Sequence, residues 1–132
     1  MGGMGTLNWA LFLILGTVCL GAMGEVLFKV GVQQIGSLNI GDLSHLLENI
    51  GRIASNPVIL IGFACYGLGW ILWIFALSNL DLSYAHPLYA MIYALVPILA
   101  LILLKEEIPL GRWAGIGVII IGVAIVFYYG PK

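Results

Sequence analysis

The chain has 132 residues, 62% of them hydrophobic and 8% charged, against roughly 45–50% and about 25% in an ordinary soluble domain, which excludes a soluble globular protein. Five Lys and Arg against six Asp and Glu leave a net charge of -1, so no cationic surface exists for a nucleic-acid backbone and nucleic acid is not an expected partner. A spanning helix needs about 20 apolar residues, so four spans occupy most of the chain and leave no room for a soluble catalytic domain. The expected fold is all-α: a polytopic membrane protein in which residues 1–132 form a single domain with four transmembrane helices and a short amphipathic interfacial helix in the first loop.

The first apolar run extends from about residue 7 to 32. It is too long for the apolar core of a signal peptide and no basic residue precedes it, so it is expected to stay in the mature protein. Residues 33–56 then form the only sizeable loop. Within it Leu43, Leu46, Leu47, Ile50 and Ile53 recur at helical spacing opposite Asp42, Glu48 and Arg52. This pattern predicts a short helix that either lies along the membrane surface or covers the end of the bundle.

The second span covers about residues 57–78, with Pro57 in the first turn and Ser55 or Asn56 as the cap. A polar turn, Asn79 to Asp81, leads to the third span at about 83–104. Pro87 near its start and Pro97 inside it are expected to bend it, because each ring removes a backbone donor. The fourth span covers about 113–129. Trp9, Trp113, Tyr128 and Tyr129 fall where interfacial aromatic belts form. Cys19 and Cys65 both lie inside apolar runs and read as small hydrophobes.

Glu25 is the most informative residue. It follows Trp9 by 16 positions, about 24 Å along a helix rising ~1.5 Å per residue, which puts it inside the hydrocarbon layer. An ionisable group there marks a transport pathway or proton site by default. Lys29, one turn later on the same face, offers a second reading in which the two charges simply neutralise each other near the interface. In the third span His86, Tyr89 and Tyr93 share one face. They could line a polar cavity, with Trp70 and Trp73 of the second span as its apolar wall; the alternative is ordinary packing. His45 and His86 are far apart, and no nucleophile constellation or phosphate loop occurs. Neither enzymatic activity nor a cofactor nor a metal is therefore expected.

The 18 glycines include sets at helix-packing intervals: Gly16, Gly21 and Gly24; Gly62, Gly67 and Gly69; Gly115, Gly117 and Gly122. Small residues let helices approach closely in lipid. Gly115 and Gly122 are the candidate dimer contact, the alternative being packing within one chain.

Several of these segments carry a resemblance. Gly24-Glu25-Val26-Leu27-Phe28-Lys29 closes the first helix and Asp81-Leu82-Ser83-Tyr84-Ala85-His86-Pro87-Leu88 opens the third. Glu106 follows that helix, and Arg112-Trp113-Ala114-Gly115-Ile116-Gly117 opens the fourth. Their order and spacing resemble the drug/metabolite transporter superfamily, the EamA-like and small multidrug resistance proteins, over nearly the whole chain except residues 33–56. The small multidrug resistance proteins work as dimers and exchange protons for cations through a first-helix carboxylate eight residues before the helix-ending Lys. Counting back from Lys29 gives Gly21 here, with Glu25 one turn later. The chain is more similar to the small aminoarabinose-phosphoundecaprenol flippase subunits, whose first helix ends Gly-Gln-x-x-x-Lys and whose third opens with Ala-Tyr-Pro. The corresponding residues here are Gly24-Glu25 to Lys29 and Ala85-His86-Pro87.

That resemblance implies movement of a polyprenyl-phosphate lipid or a related amphiphile between leaflets, by a homodimer or by a heterodimer with a related small subunit. A phosphate head group needs cations, and Lys29, Arg52, Lys105 and Arg112 are the available donors. The head would pass Glu25, His86, Tyr89 and Tyr93 while its tail stays among the membrane lipids. Two other readings stand beside this one: a proton-coupled exporter of small organic cations with Glu25 as the carrier site, and a non-transporting accessory subunit.

Lys29, Arg52, Lys105 and Arg112 flank the first and third loops, whereas the opposite side carries only Lys132. The positive-inside rule then puts both termini outside the cytoplasm of a prokaryotic inner membrane. Single cysteines near Met4 and in the 33–56 loop, in a chain lacking Cys19 and Cys65, are expected to be labelled from opposite sides by an impermeant maleimide. Labelling of both positions from both sides would show dual insertion.

Overall fold

The computed structural model describes residues 3–38 and 41–131. It is built of helices: α1 (Gly3–Ile35), α2 (Leu43–Ser55), α3 (Pro57–Leu77), α4 (Leu82–Tyr89), α5 (Ile92–Leu103) and α6 (Leu110–Tyr129). Four segments are long and apolar enough to cross a membrane: Leu7–Ile35, Pro57–Leu77, Leu82–Leu103 and Leu110–Tyr129. The protein is thus a multi-pass membrane protein. Lys132, the one cation counted on the side of the termini, lies outside the described residues.

α1 is the axis of the molecule. At 33 residues it is about 50 Å long, well beyond the ~30 Å of a hydrocarbon core. Ala10, Ile14, Val18, Ala22 and Val26 form its buried stripe at helical spacing. The upper part of that stripe packs against Ala76 and Leu80 and against Tyr84, Ala85, Leu88 and Ile92 of the third span. α3 runs antiparallel to α1 in close contact. A Cβ on Gly24 would stand 2.6 Å from the Tyr66 ring and 3.1 Å from the Gly62 carbonyl oxygen, and one on Gly62 would stand 2.8 Å from the Phe28 ring. Gly31 faces Ile59 in the same way.

The third span is not one helix. α4 ends at Tyr89, Ala90 and Met91 form a tight turn, and α5 starts at Ile92. The amides of Ala90 and Met91 bond three residues back, to Pro87 and Leu88. Pro87 lacks the N–H that would bond the Ser83 carbonyl, and Pro97 lacks the one for Tyr93. The interruption falls between the two prolines.

α2 leaves most of its apolar face outward: Leu43, Leu46, Leu47 and Ile50 are all exposed. The Arg52 guanidinium donates to the Ile35 carbonyl at 2.6 Å, tying α2 to the end of α1. That bond satisfies a carbonyl that the end of a helix leaves free. α3 begins with Asn56 as its cap; the side-chain oxygen accepts from the amides of Val58 at 2.9 Å and Ile59 at 3.1 Å. The same side chain donates to Gln34 Oε1 at 3.2 Å, joining the cap to α1.

Asn56→Ala removes both functions and is expected to lower stability by about 1 kcal/mol, the usual worth of an N-cap. Asn56→Asp keeps the acceptor and should avoid most of that loss. Unfolding in mixed micelles measures both, and equal stability of Asn56→Ala and the parent chain would refute the assignment.

Candidate functional site

The close approach of α1 and α3 admits two rings at their crossing. Phe28 stacks on Tyr66 with centroids 5.5 Å apart and meets Phe63 edge-on at 4.8 Å. The Tyr66 hydroxyl then donates to Glu25 Oε1 at 2.9 Å. One turn from Glu25 toward the N-terminus, Gly21 makes room for the third span. A Cβ there would lie 3.3 Å from the Tyr89 hydroxyl and 3.0 Å from Ile92 Cδ1. Thr17, a turn further, is buried; its hydroxyl lies 2.9 Å from the Leu13 carbonyl and 3.2 Å from that of Gly69 across the interface, two acceptors sharing one hydrogen.

These residues enclose a cavity of about 240 Å³ between α1, α3 and α4. Its floor is Thr17, Gly21 and Gly69, and its walls are Tyr66, Trp70, Trp73, His86 and Tyr89. The aromatic wall is continuous, with Trp73 5.4 Å from Tyr89 and 5.8 Å from His86. Trp70, 61% exposed, and His86, also exposed, mark the mouth on the α3 and α4 side.

A second cavity of about 190 Å³ lies on the other side of Glu25, between α1 and α5, with Val26, Val96 and Ala100 as part of its apolar wall. Its charged lining is Glu25, Lys29 and Glu106. Here the local pairing of Glu25 with Lys29 is not what forms. Lys29 Nζ lies 3.5 Å from Glu106 Oε1, and Glu25 is bonded to Tyr66 instead. A neighbour one helical turn away thus loses to a residue brought in by the chain that follows α5.

Trp70, Trp73, His86 and Tyr89 therefore come together, and Glu25 reaches their cavity through Tyr66. Tyr93 does not line it. The turn at Ala90 and Met91 breaks the helical register between Tyr89 and Tyr93, and Tyr93 is 62% exposed. Lys105 and Arg112 are exposed at the end of the bundle where Lys29 and Glu106 meet, outside both cavities. Cβ atoms on Gly115 and Gly122 would meet nothing within 4 Å. Tyr66 and Thr17 are the site residues that sequence patterning passed over. The available signal was a lone polar atom at mid-depth in each of two helices, where every such atom needs a partner.

The fold and the site define a class: a small multi-pass membrane protein with an aromatic cavity at mid-depth, a carboxylate beside it and a cationic end. The EamA-like transporter family matches residues 38–128, and the chain belongs to that family. The chain is 30% identical over 128 residues to the probable 4-amino-4-deoxy-L-arabinose-phosphoundecaprenol flippase subunit ArnF of Erwinia tasmaniensis, covering 92% of this chain and 97% of that one. It is 32% identical over 115 residues to the similarly named ArnF of Aeromonas hydrophila, 86% of this chain and 76% of that protein. The probable flippase subunit ArnE of Escherichia coli is 32% identical over 66 residues, 50% of this chain and 60% of its own. No solved structure matches.

Gly21→Glu would restore a carboxylate eight residues before Lys29, in the space that Tyr89 and Ile92 fill. It is expected to cost about 1–3 kcal/mol by overpacking, and Tyr89→Ala in the same chain should recover part of that loss. Thermal unfolding followed by tryptophan fluorescence checks both; an unperturbed Gly21→Glu protein would refute the packing described.

Proposed function

We propose that this chain is a subunit of a small flippase that moves a polyprenyl-phosphate-linked sugar between leaflets. The observation that carries the reading is the laterally open aromatic cavity next to Glu25, with Lys29, Lys105 and Arg112 at one end of the same bundle. The matches to subunits named as flippases of such a lipid, one of them along almost its whole length, support it. The cations receive the phosphate at the cytoplasmic face, both termini lying outside. The sugar passes Glu25 and enters between Trp70, Trp73, His86 and Tyr89, with Tyr93 at the edge, while the tail remains in the bilayer of a prokaryotic inner membrane. The working unit is a dimer, with an identical chain or a related small subunit, and Gly115 and Gly122 of α6 are the contact. Within residues 1–132 the four spans act as one domain, a transporter and not a catalyst.

A specific observation favours a second reading. A carboxylate hydrogen-bonded to a tyrosine beside an aromatic-lined cavity also suits a small organic cation exchanged for protons. A chain that moves neither substrate, even beside its natural neighbour, would be an accessory subunit.

In liposomes with a short-chain polyprenyl-phosphate probe, wild type is expected to flip the lipid and Glu25→Gln and Lys29→Ala to lose at least tenfold in rate. Absence of flipping by folded protein, together with a proton flux driven by an organic cation and lost in Glu25→Gln, would replace this reading with the second.

A further inference from the structure

The chain leaving α5 is bent back toward α1. Lys105 has a φ of 54°, the left-handed conformation that glycine usually supplies at the end of a helix. The Glu106 amide closes the turn on the Ala100 carbonyl at 3.2 Å. This unfavourable backbone conformation in a non-glycine residue is what aims the Glu106 carboxylate at Lys29. The resulting ion pair spans the edge of the α1–α5 cavity, with side chains 52% and 41% exposed. A pair so exposed adds little to stability. The fold does not depend on it, and another anion can displace the carboxylate at small cost.

We propose that the mouth of the α1–α5 cavity is the phosphate subsite of the transport path and that Glu106 is its built-in competitor. The carboxylate holds the Lys29 ammonium until the phosphate of a lipid head group replaces it. The inference rests on Lys29 as the landing point for that head group and adds what regulates access to it. Phosphate and carboxylate cannot share the ammonium without like-charge repulsion, so binding of one drives off the other. Glu25 on the inner wall repels the phosphate too, which keeps it at the mouth while the rest of the head group advances. Arrival of the substrate thus exchanges one partner of Lys29 for another at the only ion pair among the described residues.

The test is titration of the purified protein in mild detergent with dodecyl phosphate, read by calorimetry. Glu106→Gln is expected to tighten binding about two- to fivefold, the worth of an exposed ion pair, and Lys29→Ala to weaken it. In the Lys29→Ala background Glu106→Gln should change little, and Glu107→Gln, which removes the neighbouring exposed charge, should leave the affinity as it was. If Lys29→Ala weakens binding but Glu106→Gln does not tighten it, the competitor is overturned and the landing point stands. If Lys29→Ala binds like the parent chain, the landing point itself fails. Equal tightening by Glu107→Gln would reduce the effect to net charge and overturn the proposal. Inorganic phosphate binding as tightly as dodecyl phosphate would overturn the assignment to a lipid.

Discussion

Among lipid tails, apolar side chains gain nothing by leaving their surroundings for one another, so helices hold together only where their backbones come close enough for dense packing. In this protein that happens where α1 crosses α3. The absence of a Cβ at Gly24 and Gly62 leaves the space taken by the Tyr66 and Phe28 rings. The polar site follows directly. Tyr66 reaches Glu25 with its ring stacked on Phe28 in that space, and Thr17 meets the Gly69 carbonyl two turns away, where the same approach continues along the helices. An intramembrane carboxylate and a buried hydroxyl are both costly without partners. Here the packing device and the partner are supplied by the same crossing.

The other half of the molecule is attached more loosely. α6 packs against α4 and α5, and Ile116, still 9% exposed, is its one buried side chain. Its glycines have open space where Gly16, Gly21, Gly24 and Gly31 of α1 and Gly62 and Gly69 of α3 have neighbours. The same residue type thus does two different things in one short chain. At Gly24 and Gly62 it permits contact within the chain; at Gly115 and Gly122 it leaves a smooth face that only lipid or another helix can cover.

That distinction was not legible in the sequence, since both sets recur at the same helical intervals. What was legible followed from solvent: four apolar runs of spanning length, an amphipathic segment between the first two, and Glu25 as a carboxylate out of place. The details that escaped are those in which long-range geometry overrides local spacing. Lys29 sits one turn from Glu25 and still pairs with Glu106, because the positive φ at Lys105 delivers a carboxylate from the far end of α5. Tyr93 shares a helical face with His86 and Tyr89 only if the helix is continuous, and the turn at Ala90 and Met91 interrupts it. Two prolines in one span announced a bend, but not a bend that moves one tyrosine out of the cavity while its neighbours stay.

The size of the cavity bears on what a single chain can hold. About 240 Å³ falls below the ~300–1,000 Å³ of sites that enclose a drug-sized ligand, so there is room for a head group and none for a long tail. A closed pocket of that size would exclude a lipid altogether. This one is open at Trp70 and His86, on a surface that faces the bilayer or a second chain, so a tail can stay outside while the head is inside. An open side also means that the aromatic wall is incomplete in one chain, and an amphiphile bound there would keep part of its head group against lipid. Closing that side takes a surface that this chain by itself does not supply.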